Sequence, residues 1–151
     1  MIGKYDNMNY KIAGLLIVLL SCALAGCSTV NPGKHFGETR LDTLTSAYVV
    51  RHQKSSWDID SFIQEALADR GVRASAGPIE SKPKDVDFYV EYVDRWQWDM
   101  AMYLFALDIR FKSNVDGTLI GTGSFEQGFL HSFPDPKKKT REVIDQIYNA
   151  K

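Results

Sequence analysis

The sequence contains few cysteines and lacks the residue patterns that mark common catalytic and metal sites. Its two cysteines, Cys22 and Cys27, both lie in the first 27 residues, so nothing beyond Cys27 can form a disulfide within the chain. The histidines, His35, His52 and His131, are far apart, and there is no C-x-x-C or H-x-x-x-H pair. A G-x-S-x-G elbow and a complete G-x-G-x-x-G loop are also missing. The sequence therefore predicts no metal and no cofactor.

The chain also lacks an excess of charge of either sign. It has 18 Lys and Arg residues against 19 Asp and Glu residues, which gives a formal net charge of -1. A nucleic-acid binder needs a clustered basic face, and no such cluster is visible in the sequence. We therefore expect no nucleic-acid partner.

One long apolar run is present, and it lies near the N-terminus. Residues 12–20 (IAGLLIVLL) follow Lys4 and Lys11 and precede the small residues 21–26 (SCALAG). A membrane-spanning helix needs about 20 apolar residues, which is longer than this run. The pattern predicts a cleaved signal peptide over residues 1–26, with an uncleaved anchor as the alternative. Translation from Met8 instead of Met1 would give a more ordinary signal peptide.

The end of this segment, residues 24–27 (LAGC), resembles the lipobox of bacterial lipoproteins. In that family the cysteine receives a diacylglyceryl group, the signal is removed before it, and its new amine is acylated. The resemblance implies that Cys27 is the first mature residue and that its acyl chains bind the membrane. Because Ser28 and not aspartate follows, the resemblance implies the outer membrane, facing the periplasm. Cys22, after Leu19-Leu20-Ser21, is a second candidate for lipidation.

Composition divides the rest of the chain into two parts. Residues 27–40 are polar, contain proline and glycine, and show no apolar period, so we predict a lipidated cysteine followed by a flexible tether. Such a tether would reach on the order of 20 Å. Residues 41–151 are predicted to form one compact periplasmic domain with both helices and strands.

The hydrophobic periodicity of this domain predicts an α+β (or α/β) fold. We expect a single mixed sheet of about five strands, in the chain order β-α-β-β-β-β-α, with two helices on one face. The predicted strands are residues 44–52, 72–76, 86–93, 100–111 and 118–129, and the predicted helices are residues 56–70 and a last helix that begins at Pro136. In the fourth strand, the odd positions are expected to form one continuous apolar face. This element order resembles the small periplasmic domains of outer-membrane accessory lipoproteins.

A few local signals refine this prediction. The first helix is predicted to carry one apolar stripe, formed by Ile59, Phe62, Ile63, Ala66 and Leu67. Gly71 lies where a left-handed residue would end the first helix, and Asp135 lies where it would cap the last one. Gly121 and Gly123 in the fifth strand indicate either a bulge or a close approach of another backbone.

The densest group of aromatic, basic and sulfur-containing side chains lies around the third and fourth strands. We identify a candidate interaction patch formed by Arg95, Trp96, Trp98, Met100 and Met102. Tryptophan and arginine are favoured at protein interfaces, and exposed apolar side chains such as methionine often mark an interface. The alternative is that the tryptophans complete the core and the methionines lie on a strand covered on both faces.

These observations favour a lipid-anchored periplasmic lipoprotein that acts, without catalysis, as a binding or assembly module for an envelope protein or glycan. One alternative is an envelope-acting hydrolase in which His131, Asp135 or Asp99 meet in a cleft. The other is a purely structural envelope lipoprotein.

Overall fold

A computed structural model describes residues 29–51, 58–128 and 133–150. These residues form one mixed sheet of six strands with two helices, in the sheet order β1-β6-β5-β4-β2-β3. The elements are β1 Thr29–His35, β2 Ser46–Val50, α1 Ile59–Ala68, β3 Arg73–Gly77, β4 Phe88–Asp99, β5 Ala101–Ser113, β6 Leu119–Glu126 and α2 Pro136–Asn149. The predicted α+β class and single mixed sheet are confirmed, whereas the strand count and order differ.

Several predictions concern segments outside the described residues. These are the signal peptide, Cys22, Cys27, His52 and His131. Among the residues that the structure describes, no helix combines the length and apolar character that crossing a membrane requires.

The additional strand is β1, which lies within the segment predicted to be a flexible tether. It pairs antiparallel with β6, so that Val30 lies opposite Phe125 and Asn31 opposite Ser124. The prediction is thus wrong for Thr29–His35. The segment lacks an apolar period because it forms the edge of the sheet, where Pro32 is tolerated.

Helix α1 packs on the sheet near the edge formed by β2 and β3. It buries the apolar stripe that the sequence predicted. Ile59, Ile63 and Leu67 are fully buried in the core. The helix ends as predicted, because Gly71 has a positive φ of 79° and the backbone N–H of Val72 donates to the Leu67 carbonyl over 3.0 Å.

Helix α2 packs on the same face, next to β1 and β6, and begins at the predicted cap. The Asp135 side chain accepts a hydrogen bond of 2.9 Å from the backbone N–H of Lys137. Both alternatives that the sequence left open for Gly121 and Gly123 occur. Ile120 has no partner on β5, because Phe111 pairs with Gly121 and Lys112 with Leu119, and α2 approaches both glycines closely. A Cβ atom at Gly121 would lie 2.6 Å from Ile147 Cγ2, and one at Gly123 would lie 2.9 Å from Ile147 Cγ1.

The two connections between parallel strands lie on opposite faces of the sheet. Helix α1 joins β2 to β3 on the helical face, and residues 78–87 join β3 to β4 across the other face, which we call the open face. There the Tyr48 hydroxyl donates to the Pro78 carbonyl over 2.9 Å, and Lys82 Nζ lies 4.1 Å from the centre of the Tyr89 ring. This connection covers part of the open face. Farther along the same face, Tyr103 is buried, and the centre of its ring lies 5.5 Å from that of Phe133.

A bulge in β5 changes which side chains reach the core. Arg95 pairs with Ala106 and Trp96 pairs with Leu104, so Phe105 has no cross-strand partner on β4. Leu104 and Leu107 are consequently both buried in the core. The prediction that all odd positions of this strand form one apolar face is therefore wrong.

Candidate functional site

The β4–β5 hairpin extends beyond its neighbours in the sheet. On one side β2 pairs with β4 only at residues 88–90, and on the other side β6 pairs with β5 only as far as Ala106. Residues 96–104 therefore project as a two-stranded ribbon, with no further strand beside them in the described part of the chain.

The far end of this ribbon carries three exposed apolar side chains, Trp98, Met100 and Met102, which we call the hairpin tip. Their exposed fractions are 71%, 90% and 40%. Trp98 and Met102 are cross-strand partners, and Met100 lies at the turn with a φ of 60°. The structure thus brings together three of the five residues of the candidate interaction patch.

The other two residues of that patch lie elsewhere. Trp96 is half-buried against the core, and its Nε1 donates a hydrogen bond of 2.6 Å to Asp94 Oδ2. Arg95 points to the open face, where its guanidinium lies 3.7 Å from Glu126 Oε1 and 5.8 Å from the centre of the Phe105 ring. Trp96 therefore fits the core alternative, whereas the hairpin tip fits the exposed-patch prediction.

A second candidate site lies on the open face, between the sheet and the β3–β4 connection. It is a recess of about 190 Å³ with the exposed apolar side chains of Ile79 and Val93 at its rim and charged side chains beside them. We call it the open-face recess, and its lining includes Val50, Ile79, Glu91, Val93, Asp108 and Arg110. The change from apolar to charged residues at Asp108 and Arg110 was visible in the sequence, but their three-dimensional neighbours were not.

The charged groups of the open-face recess are only partly neutralised. Glu91 Oε2 lies 2.8 Å from Lys112 Nζ, although its direct cross-strand partner is Arg110. Within residues 29–51, 58–128 and 133–150, neither Asp108 nor Arg110 makes a side-chain hydrogen bond or ion pair. The recess therefore offers one carboxylate and one guanidinium to a bound group.

The residues of the hydrolase alternative do not form a site among the described residues. Asp135 caps α2, Asp99 lies at the exposed end of β4, and His131 is outside the described residues. The Nε2 atom of His35 lies 2.5 Å from the Thr39 carbonyl oxygen. In the described residues there is no group of three or more His, Cys, Asp or Glu side chains that could hold a metal ion.

The fold and these surfaces define a small α+β domain with one mixed sheet and both helices on one face. No protein-family model and no curated protein sequence matches the chain. Among solved structures, it is similar to the PelC dodecamer from Paraburkholderia phytofirmans in space group P6, with a TM-score of 0.57 and 10% identity over 83% of this chain and 100% of that chain. A single-substitution variant of the PelC dodecamer from the same organism, in space group C2, gives a TM-score of 0.56 and 11% identity over 79% of this chain and 98% of that chain. At this identity the likeness shows a shared fold.

Proposed function

We propose that this protein is a lipid-anchored periplasmic lipoprotein that acts, without catalysis, as a binding or assembly module in the bacterial cell envelope. Residues 24–27 and the signal segment before them support acylation at Cys27 and attachment to the outer membrane. The observation that carries the binding role is the open-face recess.

The size of the open-face recess favours a binding role over an enzymatic one. Its volume of about 190 Å³ is below the roughly 300–1,000 Å³ that is typical of small-molecule sites. It would hold one side chain of a protein partner or one sugar ring of a glycan. The apolar rim of Ile79 and Val93 would exclude water from the bound group, and Arg110 and Asp108 would fix its orientation.

Site-specific photocrosslinking in the native envelope tests this role. A photoreactive residue at Val93, on the rim, should give a discrete adduct, whereas one at Ala68, exposed on α1, should not. Arg110→Glu should weaken the Val93 adduct about tenfold, which corresponds to about 1.4 kcal/mol. Identical adducts at both positions, or an adduct unaffected by Arg110→Glu, would contradict the proposal.

The anchor has a separate test. Cys27→Ser should abolish metabolic labelling with a fatty acid and leave the protein unprocessed or released from the membrane. Continued labelling of this variant would place the lipid on Cys22 or on another residue.

A second candidate function is self-assembly. It is supported by the fold shared with nearly the whole length of the PelC chains, which are described as dodecamers. The mass of the detergent-extracted full chain, measured by native mass spectrometry, should then correspond to an oligomer of many copies. A monomer mass at micromolar concentration would exclude this candidate.

A further inference from the structure

The start of β1 and the hairpin tip lie toward the same end of the domain. Thr29 pairs with Glu126, and Glu126 pairs with Ala106 on its other side, so these three residues form one row across β1, β6 and β5. Because β1 and β5 are both antiparallel to β6, they run in the same direction. The N-terminal end of β1 therefore points toward the side of this row on which the hairpin projects.

The hairpin projects further than the chain before Thr29 can reach. Along β5 from Ala106 to Met100, a rise of about 3.4 Å per paired residue gives a projection of about 17 Å. The twist between β1 and β5, which are two strands apart in the sheet, turns β5 by roughly 45° relative to β1. The projection of the hairpin along the direction of β1 is then about 12 Å. Cys27 is two residues before Thr29, and two extended residues span at most about 7 Å. With acyl chains on Cys27, the hairpin tip would thus reach the bilayer.

We propose that the hairpin tip is a second membrane contact, which inserts into the interfacial layer of the same bilayer that holds the acyl chains of Cys27. This inference rests on the proposed lipidation of Cys27. Tryptophan is enriched at membrane interfaces, and the two methionines add flexible apolar surface beside Trp98. Asp99, exposed between Trp98 and Met100, keeps the insertion shallow because a carboxylate is costly in hydrocarbon.

A membrane explains the hairpin tip better than a protein partner does. The tip carries its apolar side chains at the end of a projecting ribbon, and this end is the one that the lipid anchor would hold against the bilayer. Insertion would also fix the direction of the strands relative to the membrane, so that the open-face recess faces sideways, along the membrane surface.

The cysteine distribution allows a direct test with a single fluorescent probe. The acylated chain would have no free thiol after signal removal, so Met100→Cys can be labelled at one position with an environment-sensitive dye. Val115→Cys is the matched control, since Val115 is 94% exposed and lies in the turn at the opposite end of the sheet. Both full-length, acylated variants are reconstituted into vesicles of phosphatidylethanolamine and phosphatidylglycerol, with or without brominated acyl chains.

The dye at position 100 should show a blue shift, a several-fold rise in intensity and quenching by the brominated lipid, whereas the dye at position 115 should show none of these. Adding Trp98→Gln and Met102→Gln should remove the blue shift at position 100 while circular dichroism stays unchanged. A dye at position 100 that behaves like the dye at position 115 would overturn the membrane contact. A shift that depends on the protein-to-lipid ratio and escapes quenching would indicate a second copy at the tip and would also overturn it.

A control with the unmodified chain shows whether a negative result comes from the hairpin tip or from a missing lipid anchor. If Cys27 is acylated, the unmodified chain takes up no thiol-reactive dye. Dye uptake would refute the anchor and, with it, the premise of the membrane contact. No uptake combined with a water-exposed dye at position 100 would refute the membrane contact alone.

Discussion

Leu104 and Leu107 are three residues apart on β5, yet both side chains are fully buried in the same core. In a regular strand an odd separation would place them on opposite faces. The unmatched Phe105 restores them to the same face by shifting the alternation by one residue. The same shift places Met102, two residues from Leu104, on the side of the sheet that Leu107 occupies, opposite its cross-strand partner Trp98.

This register predicts a large difference between two nearby truncations. Leu104→Ala should lower the free energy of unfolding by about 2–5 kcal/mol, because it leaves a cavity in the core. Met102→Ala, on the same side but exposed, should cost less than about 1 kcal/mol. Urea unfolding of the two variants checks this, and equal costs would show that the register is wrong.

The glycines under α2 predict a second stability effect. Gly123→Ala should cost about 1–3 kcal/mol, because the new Cβ would lie 2.9 Å from Ile147 Cγ1 and 3.0 Å from the Val143 carbonyl oxygen. Ser124→Ala is the control on the open face of the same strand. It removes a hydrogen bond to Asn31 and should cost less than about 1 kcal/mol. Thermal unfolding of both variants distinguishes crowding under the helix from a general intolerance of β6.

Asp87 predicts a specific loss of stability in acid. Its Oδ2 atom accepts hydrogen bonds of 2.8 Å and 2.9 Å from the backbone N–H groups of Thr45 and Ser46, and these bonds lower the pKa of the carboxyl in the folded state. Because the folded pKa is below the unfolded one, the stabilisation is complete above the unfolded pKa of about 3.9 and disappears as the pH falls through the folded pKa.

The measurement is the free energy of unfolding between pH 6 and acid conditions. Asp87→Asn should be less stable than the unmodified chain at pH 6, and the difference should shrink below about pH 4. Asp85→Asn, an exposed neighbour without a side-chain hydrogen bond in the described residues, should follow the unmodified chain. A constant difference at all pH values would assign the effect of Asp87→Asn to packing.

The Arg51–Asp60 pair predicts coupling between the end of β2 and α1. Arg51 Nε and Nη2 each lie 2.7 Å from Asp60 Oδ2, and the Asp60 side chain is buried. Arg51→Met would leave that carboxylate without this partner and should lower the free energy of unfolding. The double variant with Asp60→Leu should cost less than the sum of the two single changes. Additive costs in a double-mutant cycle would show that the pair is not coupled.

The parts of the fold that the sequence predicted are those with local signals. The apolar stripe of α1, the left-handed Gly71 and the Asp135 cap each depend on residues within a few positions of one another. The close approach at Gly121 and Gly123 was also indicated, although the helix that makes it could not be named.

The parts that it missed depend on neighbours distant in sequence. β1 is polar because it is an edge strand covered on one side only, so it resembles a tether. The bulge at Phe105 is hidden because Leu104, Phe105 and Ala106 are all apolar, and no alternation shows where the register shifts. The open-face recess combines side chains from β2, the β3–β4 connection, β4 and β5, and no spacing along the chain links them.

Strand β1 also has a consequence for the order of folding. Its Asn31 side chain bonds to Ser124, which is 93 residues later, and its Gly33 lies against the Gln146 backbone of α2. The first strand therefore has no partner until almost the whole chain is available. Such distant pairing slows folding, because the entropy of closing a long loop is lost before any contact compensates for it. We expect the sheet to close at this edge last, with β6 and α2 formed before β1 joins them.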